Sequence, residues 1–129
     1  MRLSLRFALL APFPLLGLVA APAATAPAAD PVKGKSLFTA RCAVCHSVDP
    51  GVRRMGPSLA GVMGRKAGAT PNFAYSPAMK TSKVVWNAQT LDSFLAKPGT
   101  VVPGNKMIFP GFPNPADRAN VVAYLKAPK

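Results

Sequence analysis

The chain has no glutamate at all. Its acidic residues number four, all aspartate, against 16 Lys and Arg, and the formal net charge is +12. It has one histidine, two cysteines and one tryptophan in 129 residues. Each shortage excludes something. A zinc site needs about four ligands, usually Cys and His, and two Cys with one His cannot complete a set drawn from those residues. A haem peroxidase normally wants a distal His or Arg beside an open iron position, and no second His exists to serve. A charge of this size and sign favours anionic partners and makes encounter depend on salt. Nucleic acid, an acidic protein face and an anionic membrane all fit that charge. The length allows one domain, and a domain this small commonly needs a staple.

The scarce residues stand together. Both Cys and the one His form Cys42-Ala43-Val44-Cys45-His46, a C-x-x-C-H run. That spacing reads as covalent attachment of a c-type haem. Each thiol can add to a vinyl group, and the His directly after can reach the iron as proximal ligand. A C-x-x-C redox disulfide is the other reading, but it needs a βαβ context, and no strand pattern precedes Cys42.

The N-terminus reads as a targeting segment. Arg2 and Arg6 make a basic start, Phe7 to Val19 an apolar run, and Ala21-Pro22-Ala23 an A-x-A-like cleavage site. Residues 1–23 are therefore expected to be a signal peptide, with cuts after Ala20 or Ala26 as alternatives. Residues 24–30 read as a short Ala/Pro-rich leader and 31–129 as the folded domain. Export implies the periplasm and counts against nucleic acid as partner. A retained membrane anchor is the alternative, since residues 7–29 carry no charge and are long enough to span. Pro12, Pro14, Pro22 and Pro27 argue against one continuous helix there.

Helix is the one regular structure the pattern supports. Asp30-Pro31 opens a helix that carries Val32, Leu37 and Phe38 on a stripe with Gly34 near it. That glycine is either tolerated or there to let another backbone approach. Residues 47–74 read as Gly/Pro loop. Ser76-Pro77 caps a turn through Lys80. Thr90 is expected to cap a helix with Leu91, Phe94 and Leu95 on one face, ended by Pro98-Gly99. Residues 99–114 form a second loop closed to helix by its prolines. Asn114-Pro115 opens the last helix, with Arg118, Val121, Val122 and Leu125 on one face and Tyr124 beside them. The expected class is all-α with long loops.

An iron held by one His has a sixth position open to Met, water or Lys. Met55, Met63, Met79 and Met107 are the internal methionines, and each alone is more often core filling. Met107 stands out because a rigid Pro/Gly loop, Pro103 to Gly111, carries it.

These features together resemble the class I c-type cytochromes, mitochondrial and bacterial, over about residues 31–127. The motifs are CAVCH at 42–46, GPSLAGVMGRKAG at 56–68, FAYSPAMK at 73–80, VVWNAQTL at 84–91 and PGNKMIFPG at 103–111. The resemblance implies the cytochrome c fold, with first and last helices packed together around one haem c bound through Cys42 and Cys45. It implies His46 and Met107 as iron ligands and the Pro57 carbonyl as hydrogen-bond partner of His46. It puts Tyr75 and Trp86 on a buried propionate, with Arg65 near enough to stabilise its charge. Gly34 and Phe38 would pack on Tyr124. Asn105 stands where the family commonly has Thr in the ligand loop, a further propionate contact. The resemblance implies a one-electron carrier rather than an enzyme, expected to be monomeric. Its partners would be acidic docking faces of a quinol–cytochrome c oxidoreductase, a terminal oxidase, a reaction centre or a dehydrogenase. A haem subunit dedicated to one periplasmic dehydrogenase is the alternative. Arg41 and Lys106, beside the two ligand motifs, are the first candidates for docking, with Lys35, Lys66, Lys80 and Lys97 behind them.

Overall fold

A computed structural model describes residues 28–128. The expected signal peptide, residues 1–23, lies outside the described residues, as does all but the last two residues of the alternative anchor segment, 7–29. Five helices follow in order: α1 Pro31–Arg41, α2 Pro77–Thr81, α3 Ala88–Ala96, α4 Pro98–Val101 and α5 Pro115–Lys126.

The helix starts follow local chemistry. Asp30 accepts from the Val32 and Lys33 amides at 2.8 and 3.3 Å, with Pro31 in the first turn of α1. Asn114 accepts from Ala116 at 2.9 Å, and Pro115 occupies the same place in α5. Ser76 caps α2 through the Met79 amide. A side-chain acceptor there satisfies amides that have no partner within the helix. Arg41 and Lys126 sit in the last turns of α1 and α5, where a cation meets the negative end of the helix dipole.

One expectation at α3 needs correction. Asn87, not Thr90, is the N-cap. Asn87 accepts from the Thr90 amide at 2.9 Å, and Thr90 Oγ1 accepts from the Asn87 amide at 2.8 Å. Thr90 is thus the returning half of a capping box, three residues into the helix. α3 ends before Pro98-Gly99 as expected, with Lys97 as its C-cap, but the loop expected from residue 99 opens with the short helix α4. Pro98 stands in the first turn of α4, because proline is tolerated where no amide partner is needed. The remaining loop, from Val102 to Asn114, is free of helix as expected. One antiparallel bridge, Lys66 to Val85, was not foreseen. It ties the Gly64–Ala67 segment to the Val84–Trp86 segment through bonds of 2.7 to 2.9 Å.

The core forms where α1 crosses α5. Phe38 and Tyr124 rings lie 5.4 Å apart. The Asp30 amide donates to Asn120 Oδ1 at 2.8 Å. Gly34 faces the Asn120 carbonyl, and a Cβ there would overlap it and reach Tyr124 Cβ at 2.9 Å. Close approach of another backbone is therefore the reason for this glycine. Val121 and Leu125 on α5 meet Leu91, Phe94 and Leu95 on α3 in the same buried cluster. Gly34→Ala should destabilise the holoprotein by about 3 kcal/mol, as overpacking against backbone does. Gly99→Ala, with open space around it, should be neutral or stabilising by up to about 1 kcal/mol. Denaturant melts of the two variants check the contrast.

Candidate haem site

The end of α1 builds the first wall of a cavity. Cys42 is the C-cap of α1, its amide on the Phe38 carbonyl at 2.8 Å. The chain then turns tightly, with the Cys45 and His46 amides both on the Cys42 carbonyl at 3.0 and 2.8 Å. One turn of backbone so presents both thiols and the imidazole. His46 Nδ1 donates to the Pro57 carbonyl at 2.8 Å. That bond leaves Nε2 as the ring nitrogen able to bind a metal, and it fixes the ring. Gly56 lies against the ring from behind. A Cβ there would overlap the imidazole edge, and the Gly56 amide is tied to the Cys45 carbonyl at 2.7 Å. Burial lowers the His46 pKa, and the Pro57 bond opposes this less strongly; the neutral, coordinating ring is favoured. Burial also pushes the Cys42 thiol up to about 11, with the Arg41 cation pulling the other way.

The cavity these residues face holds about 520 Å³ and is lined mainly by apolar side chains. That lies within the usual range for a small-molecule or cofactor site. Cys42, Cys45, His46, Pro57, Arg65, Tyr75, Trp86 and Met107 all line it. Asn105 does not. Its Nδ2 donates to the Val102 carbonyl at 2.9 Å, and its Oδ1 accepts from the Met107 amide at 3.0 Å. It shapes the loop that carries Met107. Arg65 donates from its two terminal nitrogens to the Ala60 and Ser58 carbonyls at 2.9 and 2.8 Å, which holds the guanidinium at the wall. Trp86 is buried and packs edge-on to Phe94 at 4.9 Å. Tyr75 packs against Phe73 at 4.7 Å. Among the described residues, neither the Tyr75 hydroxyl nor the Trp86 indole N–H is spent on another protein group.

Of the other methionines, Met55 and Met79 line the cavity and Met63 does not. Phe94, Leu95, Leu91 and Leu125 also form the wall. Their helical spacing marks them as buried, but spacing cannot separate a face against protein from a face against a cofactor. Three large apolar side chains, Val44, Met55 and Ile108, line the cavity and are also strongly exposed, Ile108 completely. Arg41 and Lys106 stand among them.

A cavity with both thiols and the imidazole on one turn fits a covalently held flat cofactor. The family model described as cytochrome c matches residues 31–128, nearly all of the described chain. The chain belongs to the cytochrome c family. Among similar proteins is a cytochrome c2 from Rhodomicrobium vannielii, 50% identical over 99 residues, 76% of this chain and 78% of that one. A cytochrome c from Sesamum indicum is 43% identical over 102 residues, 78% of this chain and 92% of that one. The solved structure of cytochrome cH from Methylobacterium extorquens superposes with a TM-score of 0.70 at 39% identity, covering 75% of this chain and 97% of that one.

Cytochromes c are electron carriers with covalently attached haem c, not enzymes, and they exchange electrons with redox partner complexes. The all-α expectation holds with the cytochrome c fold. Among the described residues no helix is long and apolar enough to cross a membrane. Covalent attachment has a direct consequence. The haem should stay on the chain through acid–acetone extraction. Cys45→Ala should leave a single thioether, shift the pyridine haemochrome band and keep the remaining haem on Cys42. Haem that extracts fully from the unaltered chain would end that expectation.

Proposed function

We propose that this cytochrome c carries single electrons between membrane redox complexes in the periplasm, with His46 and Met107 as the iron ligands. The observation that carries the reading is the shared wall: Cys42, Cys45, His46 and Met107 all face one apolar cavity. Bound haem supplies a one-electron Fe(III)/Fe(II) couple. The chain's residues set its behaviour. The Met107 thioether and the apolar wall favour the less charged reduced state and raise the potential. His46, held by the Pro57 carbonyl, keeps one orientation through both oxidation states. With His46 and Met107 both holding the iron, no position on it would be left for a substrate. Tyr75 and Trp86 bring uncommitted donors to the wall, and Arg65 brings charge, suited to a buried propionate. In this reading Asn105 acts through the Met107 loop rather than on a propionate. Residues 1–23 act as an export signal and 24–30 as a leader to the domain at 31–129.

Electron exchange would occur at the exposed rim. Val44, Met55 and Ile108 form an apolar contact there, and Arg41 and Lys106 add positive charge. Exposed apolar side chains grouped this way mark a contact surface. The excess of basic residues suits acidic faces on a quinol–cytochrome c oxidoreductase and a terminal oxidase, or on a reaction centre or dehydrogenase.

Met107→Ala tests the ligand. The ferric protein should show the weak near-infrared charge-transfer band of sulfur ligation. The substitution should abolish the band, lower the potential and open the iron to cyanide. Met55→Ala, Met63→Ala and Met79→Ala should leave the band in place. If Met79→Ala removed it and Met107→Ala did not, the ligand would be misassigned.

Docking is tested by salt. The screening length falls from about 30 Å at 0.01 M to about 8 Å at 0.15 M, so oxidation of the ferrous protein by an acidic oxidase should slow steeply over that range. Lys106→Glu or Arg41→Glu should slow it more than Lys126→Glu on the last turn of α5, with the differences fading at high salt. Stopped-flow rates across an ionic-strength series give the answer. Equal slowing by all three would assign the effect to net charge alone.

A further inference from the structure

The Met107 loop is held at its ends. On the near side the Asn105 amide and Nδ2 both donate to the Val102 carbonyl, and the Met107 amide donates to Asn105 Oδ1. On the far side the Phe112 amide donates to the Leu95 carbonyl at 2.8 Å. Among the described residues, 108–110 make no backbone bond between these two anchors. Gly111 passes so close to α3 that a Cβ would overlap the Ala96 carbonyl, and its φ is +102°.

One side chain gathers the far anchor. Arg118 of α5 donates from Nη1 to the Phe112 carbonyl at 2.9 Å and to the Pro113 carbonyl at 3.1 Å. Its Nε donates to Asp92 Oδ1 of α3 at 2.8 Å. The Arg118 side chain is 14% exposed; its bonds to Asp92 and Phe112 are partly buried and that to Pro113 is exposed. The guanidinium reaches all three acceptors through the fork of Nε and Nη1, whereas a lysine has one nitrogen and stops a bond short of the Nη1 position.

We infer that Arg118 is a positioning residue for the sixth iron ligand: its Nη1 bonds to the Phe112 and Pro113 carbonyls clamp the Met107 loop shut over the haem. The clamp rests on the reading of Met107 as ligand. The two carbonyls are the part that matters for the loop. The ion pair with Asp92, which is 43% exposed, orients the guanidinium and adds little of its own. Opening the clamp frees the far end of the loop while α1, α3 and α5 stay packed. The ligand is then lost locally, before the fold.

Cyanide binding to the ferric holoprotein reads loop opening directly. Arg118→Lys keeps a cation near Asp92 and loses the fork. It should bind cyanide about tenfold faster than the unaltered protein, as the loss of charge-assisted bonds to two carbonyls implies. It should also lose the near-infrared band at a lower urea concentration than its helical circular dichroism. Asp92→Asn keeps the fork and should stay within about threefold of the unaltered rate. Val122→Ala is the stability control: Val122 is buried on the same helix and lies outside the cavity wall. It should lower the global midpoint and leave the cyanide rate in native buffer unchanged.

An unchanged cyanide rate in Arg118→Lys overturns the clamp. So does an equal acceleration by Val122→Ala, which would make Arg118 merely structural. Failure of the ligand reading has a different signature: Met107→Ala would then leave cyanide binding and the band as they were. In that case the clamp falls with the ligand.

Discussion

Everything in this fold leans on the crossing of α1 and α5. The crossing is close because Gly34 removes the one atom that would hold the helices apart at the Asn120 carbonyl. The contact brings Phe38 onto Tyr124 and sets Val121 and Leu125 facing α3. It also places the end of α1, and with it both cysteines, at the edge of the buried cluster. A haem linked there lies against that cluster. The ends of the domain are far apart in sequence and adjacent in space, so the cofactor is enclosed by chain from both.

Between the two helices the chain is mostly loop, and its order comes from particular bonds rather than from regular structure. The Lys66–Val85 bridge holds Arg65 and Trp86 at the wall. The Pro57 carbonyl holds His46, and Asn105 holds the amide of Met107. Each tie is a carbonyl or side-chain oxygen used once, at a residue that faces the cavity or adjoins one that does. Loops built this way can surround a flat group on several sides without presenting unpaired amides to it.

How much of this was legible in the sequence depends on the range of each interaction. Caps act over two or three residues, so Asp30, Ser76 and Asn114 announce their helices, and each does cap one. The C-x-x-C-H run is equally local. At α3 the same local rule allowed two frames, because Asn87 and Thr90 both suit a cap. The capping box uses both, and only the backbone tells which comes first. Pro98 marks the end of α3 as its type suggests and also begins α4, since a proline stops one helix by the same property that starts another. Arg118 read as one more residue on a helix face. Its acceptors lie on Asp92, Phe112 and Pro113, and no spacing rule reaches from one to the others. Asn105 stood in a motif that suggested a propionate contact, but its amide bonds within its own loop.

Four of the five helices, α1, α2, α4 and α5, carry proline in the first turn. A proline whose native conformation fits stabilises by restricting the unfolded chain, typically by about 0.4–1 kcal/mol each. That gain belongs to the denatured ensemble and not to any contact in the folded one. It is therefore indifferent to ionic strength. A chain whose full sequence carries a net charge of +12, with all but two of its Lys and Arg lying beyond residue 23, repels itself most when compact and when salt is low. The prolines oppose that repulsion from the unfolded side. That opposition is the same in dilute and concentrated salt, so the four prolines supply the largest share of the net stability where screening is weakest.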